Sequence, residues 1–442
     1  MGQTAMAQND NSKQWALAGV RIIDLTWLQV GPQATRILAS FGAQVIRIEW
    51  RHPAAIDFLR YMQPFAPDHA TAQGGRIEGA TRSHGIRGNF DRGGYYNNTN
   101  PGKYGITLNL NHPKGRDVLR RMVRDANAIC ENFSPGQMDK WDLGYNELHK
   151  LNPRIIYMQT TGVGKCGTYQ NYVSYGPTAQ AMSGLTFMSG LPEPHPPAGW
   201  GYSYLDHSPG YFGAMLLMTA LHRQRQSGLG AYIDLSQTET GLMLTGTSLL
   251  EYQLTGRPTV RYGNRMPYLD WSPHGAYPCK GEDNWIAISV QSDRQWRELV
   301  EETGSPAWAL DTRFAGAAGR KANEDELDRQ LTSCTVLLDR YDLMMRLQAR
   351  GIPAGVVKKA PDRFDHDPQL KARGYYVDLS HSEIGTWPIE GFPAKLSRSP
   401  ADVGGLTGRA APKLGEDNDY VYREVFGLTT DELEMLKGEE VI

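Results

Sequence analysis

Apolar positions along the chain fall into short unbroken runs separated by stretches with helical spacing. VRIIDL (20–25) is a β-branched run of strand length, closed by TWLQVGP. Gly31-Pro32 punctuates that turn, and Pro32 suits the first turn of a helix over about 33–41. GAQVIRIEW (42–50) is a second strand, so the chain opens on a βαβ unit and a parallel sheet. GITLNL (105–110) restarts the strand pattern, and the helix that follows carries Val118, Leu119, Met122 and Val123 at helical spacing. AICENF (128–133), a short helix over Tyr145–Leu151, RIIYMQTT (154–161), a long apolar helix over 206–228, AYIDLS (231–236) and a helix to about Gly256 complete a doubly wound α/β block. NWIAISV (284–290), helices over 293–303, 321–333 and 339–350, and the strand GIPAGVVKK (351–359) form a second block. The final helix, over 429–437, opens on a threonine with Glu432 nearby, a capping-box start.

Composition narrows the class without naming a chemistry. Across 442 residues the hydrophobic share is 40% and the formal charge is -2, which fits a globular chain and excludes a nucleic-acid-coating protein. Cys130, Cys166, Cys279 and Cys334 form no CxxC pair, so zinc-knuckle and thioredoxin-like readings fail. The N-terminus has no apolar signal core and no 18-residue apolar run follows. The expectation is a cytoplasmic protein with no membrane contact.

Three constellations compete for the chemistry. Gly162, Gly164 and Gly167 make a formal GxGxxG after a strand, but no amphipathic helix opens there and the next acid is Glu193. A glycine turn is preferred to a dinucleotide site. The histidines form no ligand-spaced cluster; His366 between Asp365 and Asp367 is the tightest grouping and reads as a capping loop, so no metal is expected. Asp206 stands in WGYSYLDHSPG (200–210), between aromatic residues and before the apolar helix. It is either a helix N-cap or a carboxylate nucleophile near a helix N-terminus, where the helix dipole favours an anion.

Many segments in one order resemble the class III CoA-transferases, the family of formyl-CoA:oxalate and carnitine CoA-transferases. They include LAGVRIIDLTWLQVGP (17–32), FGAQVIRIEW (41–50), ITLNLNHPKGRDVLRRMV (106–123), the stretch 128–164, MSGL (182–185), ALHRQRQSGLGAYIDLSQTE (220–239), RGIPAGVV (350–357) and HDPQL (366–370). The resemblance implies a CoA-transferase that moves CoA from an acyl-CoA donor to a free carboxylic acid. Asp206 falls where the family carries its nucleophilic aspartate, which passes through an acyl-aspartyl anhydride and an aspartyl-CoA thioester. Gln29 falls on the active-site glutamine. Tyr175 stands where the transferases carry tyrosine and the related α-methylacyl-CoA racemase a histidine, which favours transferase over racemase. Asn132, Phe133 and Lys140 match CoA-contacting positions, Arg51 and Lys103 are further basic candidates, and Leu108 would pack near the adenine. CoA or acyl-CoA enters as substrate, with no tightly bound cofactor implied.

The resemblance also implies an α/β fold with a Rossmann-like large domain over 1–230, completed by 351–442, a linker over 231–257, a smaller α/β domain over 258–350, and an interlocked homodimer. Where some members have a glycine-rich flap, this chain reads YLDWSPHG (268–275). Tyr268 and Trp271, with Tyr202 and Tyr204, are expected to line an acyl pocket for a bulky or aromatic group. The irregular stretch 51–104 holds Arg76, Arg82, Arg87 and Arg92, which suit a dicarboxylate or CoA phosphates and equally a surface insertion. Two alternatives stay open: an acyl-CoA racemase, and a non-catalytic CoA-binding subunit of a heteromeric transferase.

Overall fold

Six strands form one parallel sheet: β1 (Arg21–Asp24), β2 (Gln44–Glu49), β3 (Tyr104–Thr107), β4 (Ala128–Glu131), β5 (Ile156–Thr161) and β6 (Ala231–Ser236), in the order β3-β2-β1-β4-β5-β6. The computed structural model describes residues 15–52, 55–62, 90–199 and 203–442. The strands read as unbroken apolar runs because both faces of the sheet are covered. Ile23, Ile46, Ile106 and Ile129 enter one core with Leu119, Met122, Leu433, Leu436 and Val441. Their neighbours Ile22, Val45, Ala128 and Ile156 enter the other, with Ala34, Leu38, Leu217 and Leu221. That split follows from the two-residue period of a strand.

Five helices position the chemistry: α1 (Val30–Ser40), α2 (Pro113–Arg124), α3 (Gly176–Met182), α4 (Ser208–Ser227) and α5 (Gln237–Leu244). The strand order reverses between β1 and β4, where an open α/β sheet leaves a crevice at the carboxyl ends of its strands.

The described residues divide into two compact units. The first takes the chain up to Leu185, the stretch ending at Leu249, and Lys371–Ile442; the second takes Thr186–Gly199 and Leu250–Leu370. In the second, β7 (His274–Pro278), β8 (Trp285–Ser289) and β9 (Ala354–Val356) make an antiparallel sheet. One face of it packs Tyr277, Ile286 and Ile288 against Trp296, Leu327, Leu343 and Leu347. Back in the first unit, β10 (Tyr376–His381) and β11 (Gly385–Glu390) form a hairpin that the sequence pattern did not reveal.

The boundaries differ from those expected in two places. The stretch 231–257, expected as a linker, holds β6, α5 and the helix Gly246–Thr255, because β6 pairs along its whole length with β5. Residues 351–370 stay with the second unit, because β9 hydrogen-bonds to β8.

Candidate active site

The turn after β1 is fixed from several sides. Asp24, fully buried at the end of β1, accepts from the Thr26 N–H at 3.0 Å, from Thr35 Oγ1 at 2.7 Å and from Lys103 Nζ at 2.9 Å. Asn132, just past β4, closes a reciprocal pair with the main chain of Trp27: the Trp27 N–H donates to Oδ1 and Nδ2 donates to the Trp27 carbonyl, both at 2.8 Å. Leu28 sits at a φ of 64°, a region side-chain-bearing residues rarely adopt, and its N–H donates to Asp57 Oδ2 at 3.0 Å. Arg47 holds that carboxylate at 2.6 Å and also reaches the Thr26 carbonyl at 2.7 Å. Arg47 and Asp57 are both fully buried, so breaking their pair would leave an uncompensated charge.

This strained turn delivers Gln29 to the start of α1. Gln29 makes no side-chain capping bond there, and its Oε1 is buried without a partner. A buried amide oxygen with no protein partner points to something the fold leaves room for.

Asp206 ends the 3-10 turn Tyr204–Asp206, and His207 rather than Asp206 is the N-cap of α4. The capping alternative for α4 therefore fails. The Asp206 carboxylate instead turns to a different helix: Oδ1 accepts from the N–H of Gly176, the first residue of α3, at 3.2 Å. Two glutamines brace the turn. Gln180 Oε1 accepts from the Tyr204 N–H at 3.1 Å, and Gln237 Nε2 donates to the Leu205 carbonyl at 3.3 Å. Burial pushes the Asp206 carboxyl above its ordinary range, while Ser203 and the Gly176 N–H pull the other way.

Asp206, Gln29, Tyr175 and Asn132 line one cavity of about 100 Å³, together with Thr160, Ser174, Gly176 and Gln237. Three residues expected at the chemistry and one expected to contact CoA thus line one cavity. Sequence reasoning missed Gly176, Gln180 and Gln237, whose contributions depend on tertiary neighbours. Gly176 carries the clearest constraint. A Cβ there would stand 2.4 Å from Asp206 Cγ and 2.3 Å from Ser203 Oγ.

A second cavity, about 340 Å³, opens at the carboxyl ends of β1, β2, β3 and β4. Leu108, Phe133, Trp27 and Trp141 line it, with Trp27 and Trp141 each edge-on to Phe133 at 5.5 and 5.6 Å. A flat aromatic ring fits such walls. Leu108 and Phe133 therefore share one pocket. Asn132 lines the smaller cavity and spends its amide on Trp27.

The basic candidates separate. Lys103 is fully buried and its ammonium is saturated by Asp24, Pro32, Thr35 and Asn100, at 2.7–3.0 Å. It cannot reach a phosphate and is a structural cation; burial lowers its pKa to about 8. Lys140 and Arg51 are exposed, and each directly adjoins a residue of the larger cavity, Trp141 and Trp50. Tyr204 is more than one-third exposed, in the same turn as Asp206, outside the small cavity's lining. Tyr268 and Trp271 belong to the second unit, where the Tyr268 hydroxyl donates to Glu251 at 3.4 Å and Trp271 lies 6.1 Å from His274. Arg76, Arg82, Arg87 and Tyr202 lie outside the described residues; Arg92 is half-buried. After Gly162, Gly164 and Gly167 no helix opens until α3. The Gly164 N–H is taken by Thr161 Oγ1 at 2.9 Å, as a turn requires. Among the described residues no helix is long and apolar enough to cross a membrane.

Comparison with known proteins points the same way. The sequence model of CoA-transferase family III matches residues 17–418. The chain is 31% identical over 426 residues to a succinyl-CoA–D-citramalate CoA-transferase of Chloroflexus aurantiacus, covering 96% of this chain and 98% of that protein. It is 31% identical over 409 residues to a succinate–glutarate CoA-transferase of Agrobacterium fabrum, covering 92% and 95%. Among solved structures, a CAIB/BAIF family protein from Brucella suis superposes with a TM-score of 0.80 at 28% identity, over 93% of this chain and 99% of that one.

Proposed function

The chain belongs to CoA-transferase family III and moves CoA between carboxylic acids, and from that premise we propose that Asp206 is its nucleophile. The observation that carries the reading is the company this carboxylate keeps: a helix N–H at 3.2 Å, the Gln29 side chain lining the same cavity with its Oε1 unpartnered, and partial burial. A carboxylate is a weak nucleophile, but the anhydride it forms is reactive, so the reaction needs an enclosed site.

In this reading an Asp206 oxygen attacks the thioester carbonyl carbon, and the carbon–sulfur bond breaks to release CoA thiolate. CoA thiolate then attacks the Asp206 carbonyl carbon of that anhydride, giving an aspartyl-CoA thioester and releasing the donor as its carboxylate. The acceptor carboxylate attacks the thioester to form a second anhydride with Asp206 and free CoA thiolate, which attacks the acceptor's carbonyl, so that the acceptor leaves as its CoA ester and the Asp206 carboxylate is restored. Gln29 donates to the oxyanion of the addition steps, and Tyr175 closes the mouth of the cavity. Among the described residues no histidine lines that cavity, which gives the paired bases of a racemase no second member among them.

The larger cavity is the adenine site in this reading, with Leu108 and Phe133 against the ring, and Lys140 and Arg51 meeting phosphates at its rim. The assembly is an interlocked homodimer. Its support is the apolar exposure of α4, where Tyr211 and Met215 are each about half exposed. Succinyl-CoA is the first donor to test, because the relatives named above act on succinyl-CoA or succinate.

The test pairs two measurements. Asp206→Ala is expected to abolish CoA exchange from succinyl-CoA or acetyl-CoA across a panel of aliphatic, aromatic and dicarboxylic acids, while acyl-CoA still binds. Hydroxylamine with acyl-CoA is expected to inactivate the native enzyme by trapping the acyl-aspartate. Exchange that survives both treatments would sink the mechanism. Light scattering of the native chain at a monomer mass would remove the dimer.

A further inference from the structure

The small cavity holds more unpaired polarity than the two residues named so far explain. Thr160, next to last in β5, is only 3% exposed, and its Oγ1 has no hydrogen-bond partner. Ser174 stands on the same wall, with its hydroxyl oxygen enclosed and likewise without a partner. The neighbouring Thr161 shows what an ordinary threonine does here: its hydroxyl is taken up by the Gly164 N–H at 2.9 Å. Leaving a buried hydroxyl unpaired costs about 1–3 kcal/mol. Two such groups lining one cavity, each able to donate, mark a place built for a ligand oxygen.

Space for the Ser174 hydroxyl is made deliberately. A Cβ at Gly162 would fall 1.6 Å from Ser174 Oγ, so the glycine of the GVG turn is what lets that oxygen in. Among the described residues no lysine, arginine or histidine lines the cavity. A fixed cation would hold the Asp206 carboxylate in an ion pair and blunt it as a nucleophile. Neutral hydroxyls carry no such penalty, yet they strengthen as negative charge grows on the oxygen they face.

We propose that Thr160 and Ser174 are catalytic hydroxyl donors to the carbonyl oxygen of the acyl group in transfer. When an Asp206 oxygen bonds to the carbonyl carbon, the carbonyl electron pair moves onto that oxygen and the two hydroxyls take up the charge. Collapse returns the pair, breaks the carbon–sulfur bond and releases CoA as thiolate. This assignment rests on Asp206 as nucleophile and adds the groups that face the opposite end of the reacting carbonyl.

The experiment compares Thr160→Val, Ser174→Ala and Thr160→Ser with the native enzyme. The readouts are single-turnover release of CoA thiol from succinyl-CoA and acetyl-CoA, steady-state kcat and KM, and the melting temperature. Valine and alanine are expected to slow thiol release by roughly 10- to 1000-fold at unchanged KM for acyl-CoA. Thr160→Ser is expected to recover most of the rate. Melting temperatures should hold or rise, since no protein hydrogen bond is lost. Rates within twofold of native for both Thr160→Val and Ser174→Ala overturn the assignment, as does a rate loss that tracks a fall in melting temperature. If Asp206→Ala retains exchange, the nucleophile reading fails; if that variant is dead and the hydroxyl variants are not, only this inference fails.

Discussion

The N–H of Gly176 and the carboxylate of Asp206 stand 3.2 Å apart, so the first turn of one helix holds an aspartate that directly precedes the start of another. The approach exists only because residue 176 has no side chain. Gly176→Ala puts a methyl group 2.4 Å from Asp206 Cγ, and the carboxylate or the turn must move. A displacement of about 1 Å at a reacting group costs on the order of 100-fold in rate. The expected result is that loss in kcat with little change in acyl-CoA KM. Activity within threefold of native would show that Asp206 acts from another position.

Lys103 and Lys140 looked alike along the chain and are expected to fail in different ways. Lys103→Met strips the buried Asp24 of its cation and should destabilise the fold by about 3–5 kcal/mol, measured by chemical denaturation. Lys140→Ala should leave stability unchanged and raise the acyl-CoA KM by about 3- to 10-fold at low salt. That increase should shrink as salt screens the exposed charge. A salt-insensitive KM in Lys140→Ala would take the lysine out of the CoA site.

The contrast between those lysines shows where the sequence stops being legible. The strands β1 to β6 were readable because burial on both sheet faces writes unbroken apolar runs. The hairpin of β10 and β11 was not, because each strand sends only two alternating apolar side chains to a small core, Val377 and Leu379 from one and Trp387 and Ile389 from the other, too short a run to stand out. Among the proposed site residues, Asp206, Gln29 and Tyr175 came from the resemblance, and all three line one cavity. Whether a lysine meets phosphate or buries itself under Asp24 depends on a partner 79 residues away, which no local pattern records. Gly176 was equally silent, since a glycine needed for close approach looks like any other glycine before proline.

Gln29→Ala separates catalysis from stability. The side-chain oxygen makes no protein hydrogen bond, so its removal should leave the melting temperature within about 1 °C of native. Loss of one oxyanion donor should lower kcat by about 100-fold. A drop in stability instead would mean that the amide supports the turn at Leu28 rather than the reaction.

Glu131 makes stability depend on pH near neutrality. It is fully buried between the Phe133 N–H at 2.8 Å and the Tyr157 hydroxyl at 3.1 Å, and burial raises its pKa to about 7. The folded state therefore holds this proton more tightly than the unfolded chain. The stability it contributes is fully present below the ordinary glutamate range and is lost as pH rises through about 7. Glu131→Gln should match native stability near pH 4 and exceed it above pH 8, by on the order of 3 kcal/mol. A native–variant difference that stays flat across that window would contradict the assignment.

Asp206 itself should show the cost of keeping a nucleophile ready. Burial raises its carboxyl pKa, so the folded state holds this proton more tightly than the unfolded chain does, while the reaction needs the anion. Two consequences run in opposite directions as pH rises. The rate should climb through a limb lying above the ordinary carboxylate range, because the anion is being formed. The stability contributed by the held proton should fall over the same interval, because the unfolded chain has already released it. Asp206→Asn keeps an oxygen that can accept from the Gly176 N–H and never ionises. It is expected to lose exchange activity and, at pH 7, to melt at a higher temperature than the native enzyme, with the gap closing on acidification below the limb. A variant that is inactive but no more stable at any pH would mean that the carboxylate is fully solvated in the free enzyme, and that its activation begins only when acyl-CoA closes the cavity.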